Sequence, residues 1–525
     1  MTNRTDFDPI AGRGLMFAFS GLLVAMFIGA LDQTIMATAL PTIAGELGGL
    51  SLLPWVVTAY VLAAAAATPV WGKVSDLYGR RNLLRAAIVV FVVGSALSGV
   101  AQNIGQLIAF RALQGIGAGG VMTLAMATVG DLVSPRERGR YQGYIQITFL
   151  LASLAGPLIG GLFVDHLSWR WVFYVNVPIG AIALAVLTAY LRVPAQRRPA
   201  KIDFLGAGLL AAAVSSGLLA ATLGGNRYPW GSPQIIGLAV GAALLLAAFI
   251  VRERHSPEPI LPLRLFKDRV FVVISAALFI TTLSLFTAIV FLPIFLQLVT
   301  GASATQSGLL TLPLLASAAV STTVSGRIMT ATGRYKIFPI VGLALMSVGL
   351  VLLSTLTATS ARVTAAVYMV VFGAGFGMVT QILVVAIQNA VEPREIGTAT
   401  AAANLFRALG GAIGVAVYGA IFTSGLRHWL PIELAGRTAQ GITATGIQAS
   451  PGLIHSLSPA VQHGIAQAVA HSLHDVFLVA APLALAGMLI VFLLRERPLR
   501  GRASTPADGS TPGHGAPQQE RMAAA

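Results

Sequence analysis

The stretch GKVSDLYGRR at residues 72–81 returns in altered form as GRIMTATGRY at residues 326–335. A second pair, VSPRERG at 133–139 and VEPREIG at 391–397, is separated by 258 positions, close to the 254 that separate the first pair. The spacing of 258 also relates three glycines to three others, namely Gly115, Gly117 and Gly119 to Gly373, Gly375 and Gly377. We therefore predict two parallel repeats of one structural unit.

The composition indicates a membrane protein. Of the 525 residues, 56% are hydrophobic and 10% are charged, whereas soluble domains carry about 25% charged residues. Apolar runs of about 20 residues, the length of a transmembrane helix, alternate with short charged clusters. We count fourteen such helices, and the first lacks a clear signal-peptide cleavage site. There is no cysteine, which excludes disulfides and thiol chemistry.

The distribution of positive charge predicts the orientation. With the N-terminus inside, 27 of the 34 Lys and Arg residues fall in inside segments and five in outside segments, while Arg111 and Arg407 fall within helices. Short cytoplasmic segments are enriched in Lys and Arg, so both termini are predicted to be cytoplasmic in a multi-pass protein of the cell membrane. The net charge of +15 is then explained by topology, and no nucleic-acid partner is expected.

The predicted fold is all-α, with two six-helix bundles and two inserted helices. Two such halves around a midplane cavity are typical of secondary transporters. The predicted segments are a cytoplasmic N-terminus (1–13), the first bundle (14–192), a linker with two inserted helices (193–270), the second bundle (271–494) with a long outer loop at about 425–473, and a disordered cytoplasmic tail (495–525).

Four motifs make residues 14–495 resemble the major facilitator superfamily, and specifically its fourteen-helix branch of drug:proton antiporters. They are GKVSDLYGRR at 72–81, RALQGIGAGG at 111–120, GPLIGGLFVD at 156–165 and LDQTIMATALP at 31–41. The resemblance implies a multidrug efflux transporter whose two halves alternate in opening to each side of the membrane.

The first motif resembles a loop that gates the two halves in this family. The resemblance implies a gating role for Gly72, Lys73, Asp76, Gly79, Arg80 and Arg81. We expect Gly72 and Gly79 to permit a tight turn. Asp76 is expected to lie near the positive start of the third helix and to pair with arginines. Arg80 and Arg81 are expected to reach lipid headgroups. Topology alone is the alternative explanation for these charges.

The second repeat carries Thr330 where the first carries Asp76. Any charge-pair gating is therefore expected to be driven by the N-terminal repeat. We expect the gating contacts of the two halves to be asymmetric.

Asp32 is the only charge between Arg13 and Glu46. A carboxylate at the centre of a transmembrane helix costs about 3 kcal/mol, which makes Asp32 a functional-site hypothesis. We expect it roughly 7 Å beyond the middle of the first helix, toward the outer side. A dry site favours the neutral acid and a wet site the ionised one, as proton coupling requires. The resemblance implies that Arg111 assists proton transfer; a structural role is the alternative for both residues.

The third motif predicts a close helix contact in the fifth helix. Pro157 is expected to kink this helix, and Gly156, Gly160 and Gly161 to form a small-residue face. The motif resembles one found in antiporters of the superfamily, which favours export over import.

Polar residues on other helices are expected to line the substrate cavity, with interhelical hydrogen bonding as the alternative. They are Gln33, Gln114, Gln146, Gln381, Asn404 and Arg407. No GxxxxGK[ST] phosphate loop is found in the sequence, so we expect no cofactor and a proton gradient as the energy source. The histidines fall outside the centres of the apolar runs, where surface positions are favoured over a metal site.

The sequence thus predicts a transporter and not an enzyme. The expected activity is proton-coupled antiport that exports lipophilic or amphipathic small molecules by alternating access. Its partners would be the small-molecule substrate, protons and the lipid bilayer, and the protein is expected to be monomeric. Export of a specific metabolite or siderophore, or import, is the alternative.

Overall fold

The computed structural model describes residues 13–47, 52–133, 137–191, 203–225, 228–302, 304–435 and 457–499. Within these residues, fourteen helices are long and apolar enough to cross a membrane, which confirms the predicted number. With an even number of crossings, the first helix begins and the last helix ends on the same side of the membrane. We call this side the chain-end side and the other the opposite side.

The first six helices form the N-terminal half. They are α1 (Arg13–Leu47), α2 (Leu53–Tyr78), α3 (Arg80–Gly99), α4 (Ile104–Leu132), α5 (Arg138–His166) and α6, in which Trp171–Tyr174 continues as Asn176–Tyr190. Helix α1 packs against α5 and α6, and α4 packs against α2 and α3. Gly79 has a φ of 90°, a backbone conformation that favours glycine, and it separates α2 from α3 as predicted.

The inserted pair and the C-terminal half follow. They are α7 (Phe204–Leu223), α8 (Pro233–His255), α9 (Arg269–Ile294, followed by a π turn at Phe295–Val299), α10 (Leu312–Thr332), α11 (Ile337–Ser354), α12 (Arg362–Ala390), α13 (Ile396–Glu433) and α14 (Pro459–Phe492). The predicted outer loop at 425–473 is too long, because α13 and α14 extend into it from both ends. Its remaining residues 436–456 lie outside the described residues, as do residues 500–525 of the predicted tail. The first residues of that tail are ordered, contrary to the prediction, because Glu496 accepts a hydrogen bond from the Tyr335 amide over 2.6 Å.

The inserted helices form a hairpin that starts at a buried carboxylate. Asp203 accepts a hydrogen bond from the Gly206 amide over 2.9 Å and pairs with Arg252 of α8 over 2.9 Å. Burial raises the pKa of Asp203, but these hydrogen bonds outweigh it and hold that pKa below its ordinary value. Helix α7 packs against α8, α2 and α13. The hairpin therefore covers the line along which α2 of one half meets α13 of the other.

The two halves meet on the chain-end side through glycines of the repeated motifs. Gly72 of α2 lies against Gly397 of α13, and Gly139 of α5 lies against Gly326 of α10. A Cβ on Gly72 would come within 2.8 Å of the Gly397 carbonyl oxygen, and one on Gly326 within 2.7 Å of the Gly139 carbonyl carbon. The expectation that Gly72 lies in a turn is wrong, since it lies within a helix and permits a close helix crossing.

Candidate functional site

Asp32 and Arg111 form an ion pair between α1 and α4, with 2.6 Å between Oδ2 and Nη1. Asp32 is fully buried and Arg111 is 1% exposed. Helix α1 is longer than predicted, so Asp32 lies about 3 Å from its middle and not 7 Å. Burying two charges is costly unless further hydrogen bonds satisfy both groups, and the surrounding side chains provide them.

Neutral side chains from α3, α4 and α6 complete the polar network. Gln114 donates to Asp32 Oδ1 over 2.7 Å and accepts from Arg111 Nη1 over 2.8 Å. Asn176 Nδ2 donates to Asp32 Oδ1 over 3.1 Å and to Ser95 Oγ over 3.0 Å. Gln114, predicted to line the substrate cavity, is instead fully buried in this network. The Asp32 carboxylate thus accepts hydrogen bonds from three side chains.

Aromatic rings and a carbonyl hold Arg111 independently of Asp32. Its guanidinium carbon lies 4.1 Å from the ring centroid of Tyr60 and 5.9 Å from that of Phe173. The Val56 carbonyl accepts from Arg111 Nε over 3.4 Å. Cation–π contacts are worth about 2 kcal/mol when desolvated. Arg111 therefore keeps favourable contacts even when Asp32 is neutral.

Four residues of this network were not singled out in the sequence: Ser95, Asn176, Tyr60 and Phe173. Asn176 follows the break in α6 and is the one amide in the apolar run from Trp171 to Tyr190, which is the only local signal. Tyr60, Ser95 and Phe173 have no distinguishing sequence context, because their role depends on how α2, α3 and α6 pack around Arg111.

The third motif, GPLIGGLFVD, packs α5 against the part of α1 that directly follows Asp32. A Cβ on Gly156 would lie 2.7 Å from Thr34 Cβ, and one on Gly160 would lie 3.0 Å from the Ile35 carbonyl oxygen. The Thr34 hydroxyl also donates to the Ala152 carbonyl over 3.0 Å. The two glycines therefore allow α5 to approach the segment of α1 that follows the carboxylate.

One detail of the predicted motif differs in the structure. A Cβ on Gly161 would meet nothing within 4 Å, so Gly161 does not belong to the packed face. Helix α5 runs from Arg138 to His166 through Pro157, and the kink at this proline stays a prediction. The close contact is made by Gly156 and Gly160 alone.

Asp76 joins the two halves on the chain-end side. Its Oδ2 accepts from the amide and the hydroxyl of Thr398, both over 2.8 Å, and its Oδ1 accepts from the Gly397 amide over 3.1 Å. A carboxylate is favoured at a helix N-terminus, where amides are unpaired. Asp76 lies in the last turn of α2 and pairs with Arg80 at the start of α3, as expected. It also caps α13 of the other half, which the sequence did not predict.

The arginines of the motif bind protein groups. Arg80 is buried and pairs with Asp76 over 3.1 Å and with Asp131 of α4, so the expected headgroup contact is wrong for Arg80. Arg81 donates to the Thr188 carbonyl over 2.8 Å, in the last turn of α6. A cation near a helix C-terminus is favourable. Both arginines thus fix the packing of the N-terminal half.

The repeated motif makes different contacts in the two halves, and the gating role of these contacts stays a prediction. Lys73 pairs with Glu258, beyond the inserted helices, over 2.8 Å. In the second repeat the Thr330 hydroxyl donates to the Gly326 carbonyl of its own helix over 2.9 Å. Asp76 of the first repeat therefore contacts the other half through its carboxylate, whereas the hydroxyl of Thr330 at the matching position bonds its own helix.

Arg138 and Gln388 make a second contact between the halves on this side. Arg138 donates to the Val133 carbonyl over 2.9 Å and to Gln388 Oε1 over 3.4 Å. Gln388 donates to Thr400 Oγ1 over 3.0 Å and to the Met126 carbonyl over 3.3 Å. Together with the glycine crossings and the Asp76 cap, these bonds hold the chain-end side closed.

The other predicted cavity residues are dispersed. Gln33 is exposed, and Gln146 and Gln381 are buried. Asn404 donates to Thr123 Oγ1 over 3.2 Å and so links α13 to α4. The structure therefore does not bring these residues together in one polar cluster.

Arg407 lies in the apolar middle of α13 and is partly exposed. Among the residues that the structure describes, none forms a hydrogen bond or ion pair with it. Charged side chains at membrane depth usually face a bundle interior or a wet cavity, so Arg407 stays a functional hypothesis.

A cavity of about 250 Å³ lies between α9 and α13, next to the turn after α7. Its walls are mostly apolar, with Phe291 and Ile294 on one side and Val415 on the other, and Gln297 and Thr423 supply side-chain polar groups. None of the predicted cavity residues is among its lining residues.

Histidines of the last helix lie on the opposite side. His471 Nδ1 lies 3.5 Å from Glu433 Oε1, and His474 Nδ1 lies 2.8 Å from the Ser354 carbonyl oxygen. Within the described ranges, no group of three or more His, Asp or Glu side chains could hold a metal ion.

Comparisons with a family model and with known proteins identify the same family. The model of the Major Facilitator Superfamily matches residues 22–415. An uncharacterized MFS-type transporter of Mycobacterium tuberculosis (strain ATCC 25618 / H37Rv) is 40% identical over 505 residues, covering 96% of this chain and 72% of that protein. Multidrug resistance protein 3 of Bacillus subtilis (strain 168) is 35% identical over 489 residues, covering 92% of this chain and 95% of that protein.

A solved structure supports the fold. The crystal structure of the human organic anion transporter MFSD10 superimposes with a TM-score of 0.60 at 16% identity, and the match covers 92% of this chain and 99% of that one. At this identity the likeness bears on the fold alone. From the family match and the relatives, the chain belongs to the major facilitator superfamily of membrane transporters.

Proposed function

We propose that the protein is a proton-coupled antiporter that exports lipophilic or amphipathic small molecules by alternating access. The observation that carries this proposal is the buried Asp32–Arg111 pair, because a titratable carboxylate in the apolar interior is expensive and marks ion or proton pathways. The similarity to a protein named for multidrug resistance supports the export of drug-like compounds.

Proton binding to Asp32 would weaken the attraction between α1 and α4. Arg111 would keep its bonds to Gln114 and the Val56 carbonyl and its contact with the Tyr60 ring. The neutral acid would keep the amide donors of Gln114 and Asn176 within reach. Protonation would thus remove a charge pair without leaving the arginine unpartnered, which lowers the cost of the step.

Helix packing offers a route from Asp32 to the chain-end side. Helix α1 is held against α5 through Gly156 and Gly160, and α5 crosses α10 where Gly139 meets Gly326. A shift of α1 relative to α4 would therefore act on a crossing between the halves. Coupling requires only that the proton and the substrate each bind the two conformations with different affinity.

The orientation completes the cycle. The excess of Lys and Arg in the predicted inside segments favours a cytoplasmic chain-end side. The conformation described above is then closed to the cytoplasm by the Asp76 cap on α13. A proton would reach Asp32 from outside, and substrate would enter after the chain-end side opens.

Everted membrane vesicles test this function. When the vesicle lumen is more acidic than the medium, vesicles containing the protein should accumulate a fluorescent lipophilic cation. A protonophore should abolish this accumulation. Asp32→Asn, which is nearly isosteric, should abolish gradient-driven accumulation while the protein remains folded and monodisperse. Accumulation that survives the protonophore, or normal transport by Asp32→Asn, would refute the proposal.

A further inference from the structure

The segment that joins α8 to α9 lies on the chain-end side, and we call its residues 256–268 the strap. Ile260, Leu261 and Leu265 of the strap are buried. The Glu253 carboxylate at the end of α8 accepts from the Ile260 amide over 2.9 Å and from the Leu261 amide over 3.2 Å. The strap is therefore an ordered segment and is held at its α8 end by a carboxylate.

Aromatic and charged contacts fix the strap to the C-terminal half. The Phe266 ring lies 5.3 Å from that of Phe271 on α9 and 6.3 Å from that of Phe406 on α13, centroid to centroid. Asp268 pairs with Arg497, beyond α14, over 3.0 Å. Arg264 pairs with Glu395, the residue that precedes α13. The strap therefore moves with the C-terminal half.

One ion pair connects the strap to the N-terminal half. Lys73 Nζ lies 2.8 Å from Glu258 Oε2, with the lysine largely buried and the glutamate partly exposed. Lys73 adjoins Gly72, which meets Gly397, and precedes the capping residue Asp76 by three positions. The pair therefore bridges the halves at the α2–α13 crossing, which α7 covers from the membrane side.

We propose that the strap is a second tie between the halves, in which Glu258 is a positioning residue that holds α2 against α13 and stabilises the closed chain-end side. Opening this side must separate Gly72 from Gly397. Since the strap stays with the C-terminal half, the same movement separates Lys73 from Glu258. A contact made in only one of two conformations shifts their populations toward that conformation.

This inference gives the inserted hairpin and its strap a defined role. The hairpin packs over the α2–α13 crossing, and the strap that follows it ties the same crossing by charge. The inference rests on the proposed transport cycle in one respect, namely that the chain-end side opens. Its test measures a distance and not transport, so it can fail while the proposed function stands.

The absence of cysteine from the chain permits a clean distance measurement. Asn82→Cys at the start of α3 and Arg334→Cys after α10 place spin labels on exposed positions of the two halves. Double electron–electron resonance on the purified full chain should then resolve two distances between the spin labels, a short one for the closed chain-end side and a long one for the open side. Glu258→Lys should raise the long-to-short population ratio about fivefold, since a partly exposed ion pair contributes up to about that factor.

Charge exchange provides the decisive comparison. Lys73→Glu should also raise the long-distance population, and the double variant Lys73→Glu with Glu258→Lys should restore the original ratio. The matched control is Arg170→Gln, which removes an exposed ion pair to Glu46 within the N-terminal half and should leave the ratio unchanged. If Glu258→Lys is not monodisperse, Glu258→Gln serves in its place with a smaller shift. Unchanged distances in the single variants, or a double variant that is not restored, would overturn the inference.

Discussion

Asn176 binds Asp32 and Ser95 through one nitrogen, Nδ2, over 3.1 and 3.0 Å. Asn176→Leu should leave Asp32 with one donor fewer in a buried site and destabilise the protein by about 1–3 kcal/mol. We expect at least a tenfold loss of gradient-driven transport, measured in vesicles, together with a lower thermal midpoint in detergent. Ser95→Ala removes a partner of Asn176 that does not contact Asp32 and should cost less on both measures. Equal losses in the two variants would argue against a direct role of Asn176.

Arg111→Lys tests whether the geometry of the guanidinium matters beyond its charge. Arg111 binds Asp32 and Gln114 through Nη1 and the Val56 carbonyl through Nε, and an ammonium cannot reproduce this planar arrangement. We expect transport to fall by tenfold or more while the protein still inserts and folds. The control is Tyr60→Phe, which keeps an aromatic face beside the guanidinium and should retain most activity. Full activity of Arg111→Lys would show that a point charge is sufficient.

Gly326→Ala tests the crossing of α10 and α5. The new Cβ would come within 2.7 Å of the Gly139 carbonyl carbon, so the closed chain-end side could form only after the helices shift. Overpacking of this kind costs about 1–3 kcal/mol, and the spin-label distances should move toward the open population. Gly419→Ala is the matched control on α13, because its Cβ would meet nothing within 4 Å. If both variants behave like the parent, the crossing does not limit closure.

Gly156→Ala and Gly161→Ala compare a packed glycine with an unpacked one in the motif GPLIGGLFVD. A Cβ on Gly156 would press on Thr34, two residues beyond Asp32, whereas one on Gly161 would meet nothing within 4 Å. We expect Gly156→Ala to impair transport severalfold and to lower the thermal midpoint. Gly161→Ala should be neutral or slightly stabilising, since alanine favours a helix by about 1 kcal/mol over glycine. Vesicle transport and thermal unfolding of the two proteins provide the comparison, and a reversed order would contradict the packing described here.

The helices could be predicted because their signal is local. Apolar runs of membrane-spanning length, separated by charged clusters, give fourteen helices in the sequence and in the structure. The outer loop between α13 and α14 was predicted too long, because residues such as His471 and Glu433 lie on helices that continue past the apolar runs. Hydropathy marks where a helix is buried in lipid and not where its hydrogen bonding ends.

The candidate site could be predicted only in part. Asp32 and Arg111 stand out because a charge in an apolar run is rare, and the structure brings them together. Asn176 and Tyr60 are ordinary residues in sequence, and only the packing of α2 and α6 around α4 gives them a role. The contact of Asp76 with the C-terminal half could not be predicted for the same reason, since its partner Thr398 lies more than 300 positions away along the chain.

The hairpin of α7 and α8 covers the α2–α13 crossing between the halves but not the α5–α10 crossing. On α5 the residues Gly139, Gly143, Ile147 and Leu151 follow one another at helical spacing. The first two lie against α10, while the last two are exposed. We therefore expect bilayer lipid to reach the junction of the halves mainly on the α5–α10 flank, beyond the point where Gly143 lies against Thr323. Changes in bilayer thickness or acyl-chain order should accordingly act on the α5–α10 flank and leave the shielded one unaffected.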